Sequence, residues 1–174
     1  SGFKEIEQDK IYKEDQVYTF SIRSCEKLLI DYLYQVLPDT DTRLMKGLKC
    51  RRFTVAKKPI RKLYSVTPAI MRVNDVYWRN TGDMETYMES IRNNAQAKYE
   101  IFTGNRIVSD VFVQAQIVNR KPIGSTYKKM NLLGDKLDIM IADNAQAVDV
   151  AYFLLGSGIG EMNSRGFGFM NYKY

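Results

Sequence analysis

Apolar and polar residues alternate over 17–23, with Tyr18, Phe20 and Ile22 on one face and Val17, Thr19, Ser21 and Arg23 on the other. This period of two predicts a half-buried strand. Ser24 is a candidate helix cap. Leu28, Leu29, Tyr32, Leu33, Val36 and Leu37 then recur at helical spacing up to Pro38, which predicts an amphipathic helix stopped by that proline. Phe53 and Val55 mark a second strand, broken near Pro59. Residues 63–73 read as a further strand, at an edge or bent, because Pro68 has no N–H for a sheet ladder. After the turn Thr81-Gly82-Asp83, with Asp83 as cap, the residues Met84, Tyr87, Met88, Ile91, Ala95 and Phe102 line one face of a helix ending near Gly104. Val111, Val113, Ala115 and Ile117 alternate as a strand. A long basic hairpin follows through Pro122, Gly124, Lys128 and Lys129, and Leu137, Ile139 and Ile141 form the return strand. Asn144 caps a helix carrying Val148, Ala151, Leu154 and Leu155, and 166–172 is the last strand.

From residue 63 the order is β-α-β-β-α-β, the ferredoxin-like pattern. Residues 1–62 supply strand, helix, strand, the second half of another such unit. The fold class expected is therefore α+β, with tandem ferredoxin-like domains: an incomplete one over 1–62 and a complete one over 63–174. A ferredoxin-like domain without its first β-α-β unit leaves an open sheet edge and half a core. On that ground about 40–70 residues are expected upstream. The rival reading makes 1–60 a compact appendage to a single domain.

Composition adds function classes and removes others. The net charge of +6 favours an anionic partner, nucleic acid first. No run of 18 or more apolar residues is present, so no membrane span is expected. Two cysteines, Cys25 and Cys50, make neither a disulfide framework nor a metal motif, and reduced thiols in a cytoplasm are the simplest reading. The chain has no histidine. That excludes Ser-His and Cys-His triads and histidine-based zinc sites within it, and leaves acid–base work to Lys, Tyr, Asp or Glu.

The charge is uneven. Between 43 and 62 there are nine basic residues, among them Arg52, Lys57 and Lys58, and no acidic one. Such a one-sign run repels itself and is usually kept for a partner. Arg120, Lys121, Lys128 and Lys129 make a second cluster on the hairpin, beside Tyr127. Phosphate backbones attract such arrays by counterion release, and nearby aromatic rings can stack unpaired bases. Solvated faces are the plain alternative for both clusters. Tyr77 and Trp78 are a possible stacking platform, with packing in the core the stronger reading. Asp135, Asp138, Asp143 and Asp149 have no spacing that resembles a ligand set, so no metal and no cofactor are expected.

Glycine is concentrated in one place: five of the eleven glycines fall within 156–168. Such clustering needs a backbone reason, either positive φ or a close approach of a ligand to bare N–H groups. A helix-to-strand loop of this kind has amides that could form an anion-binding concavity, with Arg165 beside it. A plain mobile connection is the other reading. The spacing is not the dinucleotide fingerprint and lacks the Lys-Ser/Thr of a Walker loop.

Gly158-Ile159-Gly160, followed by Ser164-Arg165-Gly166-Phe167-Gly168 near the C-terminus, resembles the glycine-rich loop of the CRISPR-associated endoribonucleases that process repeat RNA, members of the RAMP superfamily. Tyr18-Thr19-Phe20-Ser21-Ile22-Arg23 before a Leu-rich helix, and Ser65-Val66-Thr67-Pro68 at the domain junction, are similar to the same family. The resemblance implies tandem ferredoxin-like domains and a cytoplasmic role in antiviral defence. It implies CRISPR repeat RNA as partner, other CRISPR effector or adaptation proteins as further partners, and room for a homodimer. It implies metal-independent cleavage, in which the ribose 2′-OH attacks the scissile phosphate and leaves a 2′,3′-cyclic phosphate. On this reading Gly158, Gly160, Ser164, Arg165, Gly166 and Gly168, with Lys121, Lys128 and Lys129 of the hairpin, hold the RNA backbone, and Arg52, Lys57 and Lys58 extend the basic face. The family's usual histidine has no counterpart here, so no catalytic residue is assigned. The alternatives are an inactive RNA-binding module of a CRISPR complex or larger fusion, and a ferredoxin-like scaffold without RNA.

Overall fold

The computed structural model describes residues 12–80, 82–127 and 130–174. Its centre is a four-stranded sheet of β1 (Lys62–Ser65), β4 (Phe112–Ile117), β7 (Leu137–Ile141) and β8 (Met170–Lys173) in the order β4-β7-β1-β8, every pair antiparallel. Helices α2 (Met84–Thr103) and α3 (Ala145–Ser157) complete the β-α-β-β-α-β order. Two small hairpins are inserted: β2 (Arg72–Val73) with β3 (Val76–Tyr77), and β5 (Ile123–Tyr127) with β6 (Met130–Gly134). The expected fold class, α+β and ferredoxin-like, is the one observed.

Both helices have the ends that their sequences predict. The Asp83 carboxylate accepts from Thr86 N–H (2.9 Å), and Gly104 closes α2 in the left-handed region at φ 72°. Asn144 accepts from Ala147 N–H (2.8 Å). Such caps satisfy backbone groups that the helix leaves open. The helices bury Tyr87, Ile91, Ala95, Tyr99, Val150, Ala151 and Leu154 against Leu63, Leu137, Ile139 and Met170 of the sheet. Tyr99 takes the place expected for Phe102, which is half exposed. In β4 a bulge between Phe112 and Gln114 shifts the register. Phe112 therefore points into the core and Val113 outward, the reverse of the simple alternation.

Residues 63–73 are not one strand. β1 lies between β7 and β8, so its ladder needs every N–H, and the chain leaves the sheet at Ser65, three residues before Pro68. The N-terminal part differs more. Residues 17–23 and 53–55 form no strand; residues 12–61 contain α1 (Lys27–Val36), a short 3-10 turn at Leu37–Asp39 and irregular chain. A strand is a paired object, and among the described residues no neighbouring strand offers these segments a ladder. Glu26, not Ser24, precedes α1, which buries none of its residues. Among the described residues no helix is long and apolar enough to cross a membrane.

Candidate nucleic-acid interface

α3 ends at Ser157 with Gly158 as its cap, and residues 158–169 return the chain to β8 around a 3-10 turn at Asn163–Arg165. Gly158, Gly160, Gly166 and Gly168 all have positive φ, between 63° and 85°. Close approach matters as much. A Cβ on Gly168 would stand 1.9 Å from the Ile159 carbonyl oxygen, and one on Gly160 would stand 2.4 Å from that of Ile70. These two glycines are therefore demanded by the protein's own backbone. The expected concavity of bare amides is largely closed: the N–H groups of Gly158, Ile159, Glu161, Gly166 and Gly168 all donate within the protein. Gly158, Gly160 and Gly168 are buried, whereas Ser164 and Arg165 are exposed at the tip, next to half-buried Gly166. The first three shape the loop; the tip is what a ligand can reach.

The loop is held from two sides. On one, the segment after β1 runs alongside it: Thr67 Oγ1 donates to Gly166 O (2.6 Å) and accepts from Phe169 N–H (2.9 Å), Gly168 N–H donates to Pro68 O (2.8 Å), and Glu161 N–H donates to Ile70 O (2.7 Å). On the other, the Lys98 ammonium of α2 donates to Gly160 O (2.5 Å), to Gly158 O (3.4 Å) and to the Asn163 side-chain oxygen. Asn163 Nδ2 in turn donates to Ile159 O and Phe167 O, both at 2.9 Å.

The basic hairpin is anchored on the same segment. Ala69 and Asp135 exchange backbone hydrogen bonds of 2.8 and 3.0 Å at the hairpin's base, while the adjacent Ile70 bridges to Glu161 of the glycine loop. Asp135 is fully buried. Its carboxylate accepts from Tyr77 OH (2.6 Å), Trp78 Nε1 (2.7 Å), Arg79 Nη2 (2.8 Å) and Asn119 Nδ2 (2.7 Å). Arg79 also donates to the carbonyls of Asn119 and Arg120, 2.9 Å each, so one ion pair closes the foot of the hairpin. Burial pushes the Asp135 carboxyl up, but the bonds from Arg79, Tyr77, Trp78 and Asn119 together hold it below the usual carboxylate range. Asp135 is thus no solvated loop residue, and Trp78, stacked on Tyr87 at 4.9 Å, is core. Among the described residues no cluster of three or more His, Cys, Asp or Glu side chains is placed to hold a metal ion.

Lys121 is exposed at the start of the hairpin, and Lys128 and Lys129 lie outside the described residues. Within the run over 43–62, four of the nine cations are paired with acids. Lys46, Arg52, Arg61 and Lys62 pair with Asp41, Asp31, Asp143 and Asp138. Arg52 also lies over the Tyr34 ring of α1, 5.6 Å from its centroid. Lys57 and Lys58 sit on the segment bound by Tyr152 and Tyr174: Tyr174 OH donates to Ala56 O (2.9 Å) and Lys58 N–H donates to Tyr152 OH (2.7 Å). That is the end of β8 away from the glycine loop. The structure therefore ties the loop and the foot of the hairpin to one segment, whereas Arg52 is held on α1 and Lys57 and Lys58 on the segment at the far end of β8.

Residues 57–172, two thirds of the chain, match the family model of the C-terminal part of CRISPR associated protein Cas6. Among solved structures the fold is similar to a CRISPR associated protein Cas6, with 19% identity and a TM-score of 0.62, over 87% of this chain and 66% of that one. It is similar to a RAMP protein binding different RNA substrates, with 15% identity and a TM-score of 0.63, over 87% of this chain and 67% of that one. A Cas6-related protein from Pyrococcus furiosus matches at 16% identity and a TM-score of 0.52, over 70% of this chain and 51% of that one. The chain thus spans about half to two thirds of the length of these solved relatives. No curated protein sequence matches it.

Proposed function

Because the chain belongs to the family of the C-terminal part of CRISPR associated protein Cas6, we propose that it binds CRISPR repeat RNA and takes part in cutting it into guide RNAs. The observation that carries the reading is the shared anchor: neighbouring residues Ala69 and Ile70 tie the foot of the basic hairpin and the glycine-rich loop to one segment. Two elements that carry exposed cations, Lys121 and Arg165, thereby share one anchoring segment. A phosphate backbone needs such spaced positive charge on a rigid frame. The finer proposal is the route of cleavage: the 2′-OH upstream of the scissile phosphate gives up its proton and attacks phosphorus, the P–O5′ bond breaks, and the departing 5′-oxygen takes up a proton, giving a 2′,3′-cyclic phosphate and a 5′-OH end. This step needs positioning and charge stabilisation rather than a metal.

A labelled CRISPR repeat hairpin incubated with the chain in EDTA tests both levels. A single cut with a 2′,3′-cyclic end supports the cleavage route. A retarded but uncut RNA supports the second reading, an RNA-binding module without catalysis, which the lack of any histidine favours. Neither cut nor retardation sinks the RNA reading. Arg165→Ala is expected to weaken RNA binding roughly fivefold and to reduce the salt slope by about one, with an unchanged circular dichroism spectrum. Unchanged RNA affinity in that variant would remove Arg165 from the interface.

A further inference from the structure

Lys98 has a role that its position on the amphipathic helix α2 conceals. Its ammonium has three N–H groups and three oxygen acceptors, on Gly158, Gly160 and Asn163, all belonging to the glycine-rich loop. Asn163, oriented by this contact, binds the carbonyls of Ile159 and Phe167. Lysine and asparagine together thus gather four loop carbonyls inward, and the tip carrying Ser164 and Arg165 is what remains exposed. Among the described residues no carboxylate pairs directly with Lys98. The nearest acidic influence is Glu161, which is itself held by Arg72 Nε at 2.9 Å.

Resting on the RNA reading above, we propose that Lys98 is the positioning residue of the glycine-rich loop: from inside, it sets the loop's shape and supplies a positive charge beneath the surface that receives the RNA backbone.

The charged groups around it are few. The loop contributes Glu161, with Arg72 of β2 behind it, and Arg165 at its tip. The segment before α1 contributes Glu26 and Cys25, which line a cavity of about 320 Å³ with Lys98. α3 contributes Phe153, Gly156 and Ser157 there, none of them charged. Burial lowers the Lys98 ammonium to about 8, against a smaller opposing effect of Glu161. At neutral pH it is charged. A polyanion nearby favours the charged form, so bound RNA raises this value, and affinity must fall as pH rises through the free value. Cys25 does not compete in that window, because burial pushes its thiol up.

The test has two readouts on the whole chain. The first is amide hydrogen exchange of residues 158–168 without RNA. Exchange is expected to quicken in Lys98→Met and to be restored at least partly in Lys98→Arg. The second is the affinity for a labelled CRISPR repeat hairpin between pH 7 and 9. The unmodified protein is expected to lose roughly three- to tenfold across pH 8, while Lys98→Arg, whose charge persists, stays flat. The unmodified profile needs no variant, so it decides even if Lys98→Met does not fold. A flat unmodified profile, or the same fall in Lys98→Arg, overturns the proposed charge. Loop exchange unchanged in Lys98→Met overturns the positioning role. Loop exchange that responds as expected in a protein that binds no RNA at pH 7 leaves the positioning standing and sinks the RNA reading instead.

Discussion

Asp135→Ala is expected to destabilise the protein by about 3–5 kcal/mol, the usual cost of breaking a buried ion pair from one side. The substitution removes a shared acceptor from four donors at once, Tyr77 OH, Trp78 Nε1, Arg79 Nη2 and Asn119 Nδ2, of which Arg79 and Asn119 keep bonds to the carbonyls of Asn119 and Lys121. Trp78 is buried, so its N–H cannot turn to water, and Arg79 loses the carboxylate that keeps it at the carbonyls of Asn119 and Arg120. Urea denaturation at pH 7 reads the effect as a lowered midpoint, and an unchanged midpoint would refute it. The pH dependence has a definite sign. The folded carboxyl is held below its ordinary range. Its contribution is therefore full above the unfolded carboxylate value, about 4, and is lost as pH falls through the lower folded value. The unmodified protein and Asp135→Asn should accordingly converge in stability as pH drops below about 4. A gap that stays constant down to acid pH would mean that charge is not what Asp135 contributes.

Gly168→Ala is the second large effect. The backbone there has φ 63°, and the added Cβ would meet the Ile159 carbonyl oxygen at 1.9 Å. The left-handed conformation costs about 1–2 kcal/mol, and forcing the neighbouring backbone aside adds about 1–3 kcal/mol. Gly104→Ala is the natural control. Its φ is 72°, and nothing lies within 4 Å of the added carbon. It should cost about 1–2 kcal/mol, the conformational part alone. Thermal or urea unfolding of the two variants separates the clash from the strain. Equal losses would show that the loop yields to the methyl group. In Gly168→Ala the loop tip should also be misplaced, so RNA affinity should fall while Gly104→Ala binds as the unmodified chain does.

The two effects lie at opposite ends of what could be read from residue order. The glycines announced themselves, because five of them within 156–168 must have a cause in the backbone. Their purpose did not. The pattern suggested amides laid bare for an anion, whereas most of the loop's amides are satisfied by Leu154, Gly168, Ile70, Asn163 and Pro68. Asp135 gave a weaker sign. A buried tryptophan N–H needs an acceptor, so Trp78 implied one somewhere, but the carboxylate is 57 residues away. Lys98 gave no sign at all, since lysine on a helix ordinarily faces water, and its acceptors lie 60 to 65 residues further along.

The strands show the same division. Alternation predicted the positions of β4 and β7 well, yet the bulge at Phe112 and Gln114 reversed which side of β4 is buried at its start. The same alternation over 17–23 produced no strand, since pattern supplies a face and only a neighbour supplies the hydrogen bonds. The charge run over 43–62 was visible as a run, but three of its four paired acids, Asp31, Asp138 and Asp143, lie well outside it in the chain.

Residue order by itself determined the local things: helical and extended periods, the caps Asp83 and Asn144, the left-handed Gly104, and the concentration of glycine and positive charge. These depend on neighbours within a turn or two, so a short window contains their cause. Tertiary structure alone decided which cations are neutralised, that Asp135 closes the hairpin, that Lys98 gathers the loop from within, and that Ala69 and Ile70 tie the foot of the hairpin and the loop to one segment. Most of these are contacts between groups tens of residues apart, and at Asp135, and in part at Lys98, burial has also removed water as the competing partner.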